Sequence, residues 1–141
     1  MSFSLHPRLV SDFHLLGRNG ALHVLLQRNA ILPWFILVPE TAALELFEVP
    51  AVLRRELNSV ADRLARFVKR HFESDKINVA AIGNIVPQLH LHVIGRRRDD
   101  CCWPQAAWGH VEGTRAYSEQ EQAILTRALV SEHLLEARNT P

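Results

Sequence analysis

The sequence predicts an α+β protein, an antiparallel sheet with helices packed against it, and three observations carry that prediction. Apolar spacing changes along the chain in the order helix, strand, strand, long helix, strand, strand, helix. Consecutive strands are separated by short segments with turn chemistry, the connection that antiparallel neighbours need. One stretch, Ala51 to Phe72, is long and amphipathic enough to lie across a whole sheet.

The elements follow in order. From Leu5 to Leu16 apolar residues recur at three to four, which predicts a short first helix with Ser4 as cap, ending near Gly17 and Gly20. Asn19-Gly20 reads as a turn before a strand from Ala21 to Leu26, and Trp34-Phe35-Ile36-Leu37-Val38 reads as a second strand closed by Pro39. The two should pair as a hairpin through Arg28-Asn29-Ala30-Ile31. In the long helix Val52, Leu53, Leu57, Val60, Ala61, Leu64, Phe67 and Val68 form the apolar stripe, and Pro50 opens it. Asp75 turns the chain into a strand from Ile77 to Ile82, and Gly83-Asn84 breaks it before a last strand that runs through Ile94. Ser118 with Glu121 three residues on is a capping box, which predicts a final helix to about Ala137.

Length and composition bound the function. At 141 residues the chain suits a single domain, residues 1–141, with one substantial core. Sixteen Lys and Arg against fifteen Asp and Glu leave a net charge of +1, which offers no electrostatic footprint for extended nucleic acid or an anionic membrane. Cys101 and Cys102 are adjacent and poorly placed to pair, which favours a reducing compartment. With no secretory signal pattern and no apolar run of about 18 residues, a cytoplasmic location is the expectation.

The segment Val86-Pro87-Gln88-Leu89-His90-Leu91-His92-Val93-Ile94 alternates apolar and polar residues. As a strand it turns Leu89, Leu91 and Val93 to a core and sets Gln88, His90 and His92 in a row on the opposite face. On the residues alone three readings stand: the polar face of an exposed strand, a metal site using the His-x-His pair, and a catalytic row. For a metal, further ligands would have to come from Asp99, Asp100, Cys101, Cys102 or His110, none at a diagnostic spacing.

Gln88 to Ile94 resembles the histidine triad (HIT) motif, His-x-His-x-His followed by two apolar residues, with Gln88 in the place of the first histidine. Gly83-Asn84-Ile85-Val86 is similar to that family's lead-in, and Pro33-Trp34-Phe35-Ile36-Leu37-Val38-Pro39 to its proline-ended strand. Trp103-Pro104 to Trp108-Gly109-His110 adds a likeness to a bacterial branch carrying Gln-x-His-x-His. The resemblance implies a HIT-like α+β fold and a nucleotide hydrolase or transferase acting at the α-phosphate of a small nucleotide, as a homodimer. It implies His90 as nucleophile, forming a nucleotidyl-histidine that water cleaves, with Nδ1-H held by an acceptor so that Nε2 is free. His92 falls at the third histidine, a donor to the phosphate. Gln88 keeps hydrogen-bonding capacity without acid-base capacity, and Asn84, Asn29 and Gln27 fall where nucleotide contacts are expected. No cofactor is required, with Mg²⁺ able to screen polyphosphate charge. A different class of reading is a nucleotide-binding or sensing module in which Gln88 and Ile85 have weakened catalysis.

Other residues are weighed on their own. Arg96-Arg97-Arg98 beside Asp99-Asp100 is a phosphate clamp or, more simply, a solvated turn. Trp34 belongs to a core or interface, Trp103 and Trp108 to a base-stacking surface or a dimer contact, and His110 to the pocket. The two cysteines lack the setting of a reactive thiol and read as structural.

Overall fold

Five strands form one antiparallel sheet in the order β1-β2-β3-β5-β4, in a computed structural model that describes residues 2–138. The elements are α1 (Pro7–Asp12), β1 (Phe13–Asn19), β2 (Leu22–Gln27), β3 (Trp34–Pro39), a 3-10 turn (Leu46–Glu48), α2 (Ala51–His71), β4 (Lys76–Ala80), β5 (Leu91–Arg96) and α3 (Glu119–Ser131). The expected α+β architecture, with a long helix on the sheet and a C-terminal helix, is what the chain adopts.

β3 explains the two-sided packing. All six of its residues are buried, as a continuous apolar run at the middle of a covered sheet should be. Phe35 and Leu37 join a core with Leu57, Val60, Leu64, Phe67 and Val68 of α2 and with Leu125 and Leu129 of α3. Trp34, Ile36 and Val38 point the other way, into a second core with Leu9, Phe13, Leu25 and Ile94. The second core is closed by the N-terminal segment, α1 and the loop that follows β5, with Phe3, Leu5, Trp108 and Val111 at its margin.

α2 is held by its stripe and by its ends. Its buried residues recur at three and four, and Lys69, Arg70 and His71 sit in the last turn, where cations complement the helix dipole. α3 carries the expected capping box, Ser118 Oγ accepting from Glu121 N–H and the Glu121 carboxylate accepting from Ser118 N–H, each at 3.0 Å.

Four expectations are corrected. The first helix spans Pro7–Asp12 with His6 as cap, rather than reaching Leu16 from a Ser4 cap. Leu9, Phe13 and Leu16 do fit a helical stripe, but Leu9 and Phe13 enter one core while Leu16 enters the other. Strand alternation, with a bulge between Leu15 and Gly17, produces that spacing. The final helix stops at Ser131 instead of Ala137, because His133 takes a positive φ of 58° and turns Leu134 and Leu135 into the core. The last strand begins at Leu91; Val86 to His90 lies outside the ladder, since β4 pairs no further than Ala80 with His92. β4 is correspondingly shorter than the expected run to Ile82.

Gly95 fixes how closely β5 meets its neighbours. A Cβ there would lie 2.9 Å from both Pro33 Cγ and Val68 Cγ1 and would also strike the Ser74 hydroxyl. Gly95 N–H donates to Pro33 O at 2.8 Å. Gly95→Ala is therefore expected to destabilise the protein by about 1–3 kcal/mol, the usual range for overpacking. The check is a lowered urea midpoint with unchanged slope; an unshifted midpoint would show that β5 and α2 have slack.

Candidate active site

His92 is the central residue of the site because both neighbours of its strand are in place. It pairs with Ile36 of β3 and Ala80 of β4, and its side chain lies on the face of the second core. Trp34, opposite Ile94, is its diagonal neighbour on β3. The Trp34 indole Nε1–H donates to His92 Nδ1 at 2.9 Å. An indole N–H can only donate, so Nδ1 of His92 carries no proton and its Nε2 carries one. Burial, and then the repulsion between two imidazolium rings if His90 were also protonated, push the His92 pKa down to about 3, in accord with a neutral ring.

His90 has the opposite tautomer. Its Nδ1 lies 2.7 Å from the backbone carbonyl of Gln88; the carbonyl only accepts, so Nδ1 carries the proton and Nε2 presents a lone pair. The two rings meet edge to face, 4.7 Å between centroids. One imidazole offers a nucleophile and its neighbour a donor. Trp108 packs edge-on to His92 at 5.1 Å and to Trp34 at 5.5 Å.

A cleft of about 350 Å³ opens on both histidines. It is lined by Arg8, Leu9, Asp12 and Phe13 from α1 and the start of β1, by Gly83, Asn84, Ile85 and Val86 from the segment after β4, and by Gln27 and Trp34. A smaller cleft of about 250 Å³, with Leu44, Phe47, Ile82 and Leu89 on its sides, reaches His90 from a second direction. Phe47 and Ile85 are 75% and 71% exposed, so the approaches to His90 are markedly apolar.

The sequence-derived candidates divide. His90, His92, Asn84 and Gln27 line the larger cleft. Asn29 does not: its Nδ2 donates to Gly113 O at 3.0 Å and its Oδ1 accepts from Ile31 N–H and Arg115 N–H. It fastens the β2–β3 connection to the strand-like segment at Ala116. Gln88 is likewise outside the cleft, its side chain turned to the N-terminal segment. His110 folds back on the carbonyls of Ala106 and Trp108. The contribution of α1, through Arg8, Leu9 and Asp12, left no signal in the sequence.

The arginine run is neither a clamp nor a solvated turn throughout. The Arg96 side chain is 2% exposed and pairs with both oxygens of Asp100, at 2.9 and 3.1 Å. It also donates to Asn78 Oδ1 and Gln105 O and lies over Trp103. Burial works to raise the Asp100 pKa, but Arg96 and the N–H groups of Arg97 and Cys102 hold its carboxyl below the usual range. Arg97 is solvated and pairs with Asp99 at 2.9 Å. The buried pair closes the loop that presents Trp108. Burial and the neighbouring Cys101 raise the Cys102 thiol, which packs into the second core. Among the described residues no three His, Cys, Asp or Glu side chains converge as a metal-binding group, and no helix is long and apolar enough to cross a membrane.

Comparison with known proteins places this geometry. No curated protein matches the chain. Among solved structures, a histidine triad protein of Marinobacter aquaeolei is 40% identical, with a TM-score of 0.85 over 95% of this chain and 96% of that one. A histidine triad protein of Bradyrhizobium japonicum is 36% identical, with a TM-score of 0.87 over 94% and 98%. One from Sinorhizobium meliloti is 33% identical at a TM-score of 0.86, covering 93% and 97%. The HIT domain model matches residues 8–99, the span that holds the sheet, α2 and both histidines, and the chain belongs to the HIT domain family.

Proposed function

We propose that the protein is a nucleotide hydrolase or transferase of the Gln-x-His-x-His kind, acting at the α-phosphate of a small nucleotide. The observation that carries this reading is the pair of opposed tautomers: His90 Nε2 free for attack and His92 Nε2–H free to donate, side by side in one cleft. His90 Nε2 forms a bond to phosphorus while the bond from phosphorus to the leaving group breaks, and the leaving group takes its electron pair. Water then attacks the nucleotidyl-histidine, the P–N bond breaks, and a nucleoside monophosphate leaves. Both steps concentrate charge on the non-bridging oxygens, where His92 Nε2–H contributes as a preorganised neutral donor.

In this reading the base packs on the apolar side chains of Leu9, Phe13 and Val86 that line the cleft, Gln27 holds a ribose hydroxyl and Asn84 a phosphate oxygen. Nucleoside phosphoramidates and dinucleoside polyphosphates are the candidate substrates. Imidazole attack itself needs no metal ion, and Mg²⁺ would act by screening polyphosphate charge. A homodimer accords with β4, an edge strand that leaves Val79 half exposed. Ile85, exposed on the lip with no donor to offer a leaving group, favours a second reading: slow turnover in a protein that serves mainly to bind nucleotides.

The test is incubation with adenylated and guanylated substrates, following nucleoside monophosphate release and label retained on protein after an alkaline quench. Release that His90→Ala lowers by at least about a thousandfold, with affinity kept within a few-fold, is expected for a lost nucleophile. Saturable binding with neither release nor adduct would favour the binding module, and activity retained in the variant would remove His90 from the chemistry.

Trp34→Phe keeps an aromatic ring and deletes the donor to His92. The expected result is a kcat lowered by about tenfold with KM nearly unchanged, because the tautomer of a phosphate donor is no longer fixed. An unchanged kcat would mean that His92 does not act through Nε2–H.

His92 also makes stability depend on pH. Its folded pKa of about 3 lies below the ordinary value near 6.5, so between these limits the unfolded chain binds a proton that the folded chain does not. This contribution is complete above about pH 6.5 and is lost as pH falls toward about 3, with a slope of up to about 1.4 kcal/mol per pH unit. Urea unfolding of the protein and of His92→Gln across that range should show the variant with the shallower dependence; parallel curves would contradict it.

A further inference from the structure

Gln88 stands where a histidine would complete the triad, yet both polar atoms of its side chain are engaged away from the cleft. Its Oε1 accepts from His6 N–H at 2.8 Å and its Nε2 donates to Ser4 O at 2.9 Å. Carbonyl and amide two residues apart on one edge of an extended segment are what a neighbouring strand would bind, and the primary amide reproduces that pattern with its donor and acceptor side by side. An imidazole cannot, because its two nitrogens point away from one another. The residue type at position 88 thus matches the N-terminal segment in hydrogen-bonding terms.

That segment leads into the cleft wall. Phe3 stacks on His23 at 5.2 Å, and Leu5 packs against the second core. His6 Nδ1 then accepts from Arg8 N–H and starts α1, whose Arg8, Leu9 and Asp12 line the same cleft as the two histidines. The far end of α1 is fixed independently: the Arg28 guanidinium donates to Ser11 O at 2.9 Å and Val10 O at 3.2 Å. A six-residue helix has little stability of its own, so its position depends on these two attachments together with the burial of Leu9 in the second core.

We infer that Gln88 is a positioning residue, an amide clamp that docks the N-terminal arm and thereby sets the α1 wall of the nucleotide cleft, rather than a substitute for a proton-carrying histidine. The inference rests on the nucleotide reading for what the wall binds, but the clamp itself does not. The same residue serves the site twice through separate groups, since its backbone carbonyl holds His90 Nδ1–H while its side chain holds the arm.

The experiment compares the full-length protein with Gln88→Leu, Gln88→Glu, Gln88→His and Phe3→Ala. It reads amide hydrogen exchange over residues 3–12, AMP affinity by calorimetry, and kcat and KM with adenosine 5′-phosphoramidate. In Gln88→Leu, exchange at the His6 amide should rise by roughly tenfold or more, the loss of two hydrogen bonds that close the arm. AMP affinity and KM should weaken by about five- to tenfold, with kcat within about twofold. Gln88→Glu, which keeps the acceptor, should fall between, and Gln88→His should resemble Gln88→Leu with no gain in kcat. Phe3→Ala, which leaves residue 88 untouched, should shift exchange and KM in the same direction, and combining it with Gln88→Leu should cost less than the sum.

A fall in kcat with arm exchange and KM unchanged, or a kcat raised by Gln88→His, would overturn the clamp in favour of a proton-handling role. Unchanged exchange in Gln88→Leu would overturn it outright. If the unmodified protein neither binds AMP nor turns over, the nucleotide reading fails alone, and arm exchange still decides the clamp.

Discussion

The register between β3 and β5 is the constraint on which the site depends. It sets Trp34 diagonal to His92 on one face of the sheet and Phe35 and Val93 opposite one another on the other. A slip of one residue would turn His92 into the α2 core and expose the buried set of β5. Register is fixed twice over, by the apolar demands of both cores and by Gly95, whose missing side chain lets Pro33 and Val68 close on β5. From that register follow the indole hydrogen bond, the neutral His92 ring and the donor it aims at the cleft.

Polar groups in the second core are tolerated because nearly all are paired. Trp34 satisfies His92, Gln88 O satisfies His90, and Asp100 satisfies Arg96. The buried guanidinium would be costly without this partner. With it, the loop after β5 becomes a fixed lid edge, and Trp108 is held against both Trp34 and His92. The near-zero net charge of the chain therefore says little about the site, whose polarity is arranged locally.

Much of this was legible in the sequence where one physical demand acted on a segment. α2 showed its apolar stripe, α3 its capping box, and β3 its continuous apolar run. The His90 and His92 pair was legible from alternation, although only His92 lies in the ladder. The sequence misled where two demands met: Leu9, Phe13 and Leu16 serve opposite faces of the sheet yet fall at helical spacing. Asn29 and Gln88 were visible as polar residues near a motif, but partners that fix them lie far away in the chain, at Gly113 and Arg115 and at Ser4 and His6. Hydrogen bonds over such separations leave no local pattern to read.

The sheet divides the molecule into two compartments. α2 and α3 pack on one side, while every residue of the larger cleft belongs to the sheet's other side, its edges or the segments covering it. Substitutions that refill the helical side among apolar residues of similar volume change stability with little reach into the cleft, since β3 and β5 stand between. On the cleft side packing and chemistry share the same atoms, so Trp34 and Trp108 answer to both demands at once. Relatives of this chain should therefore drift freely beneath the helices and vary in concert around the two histidines.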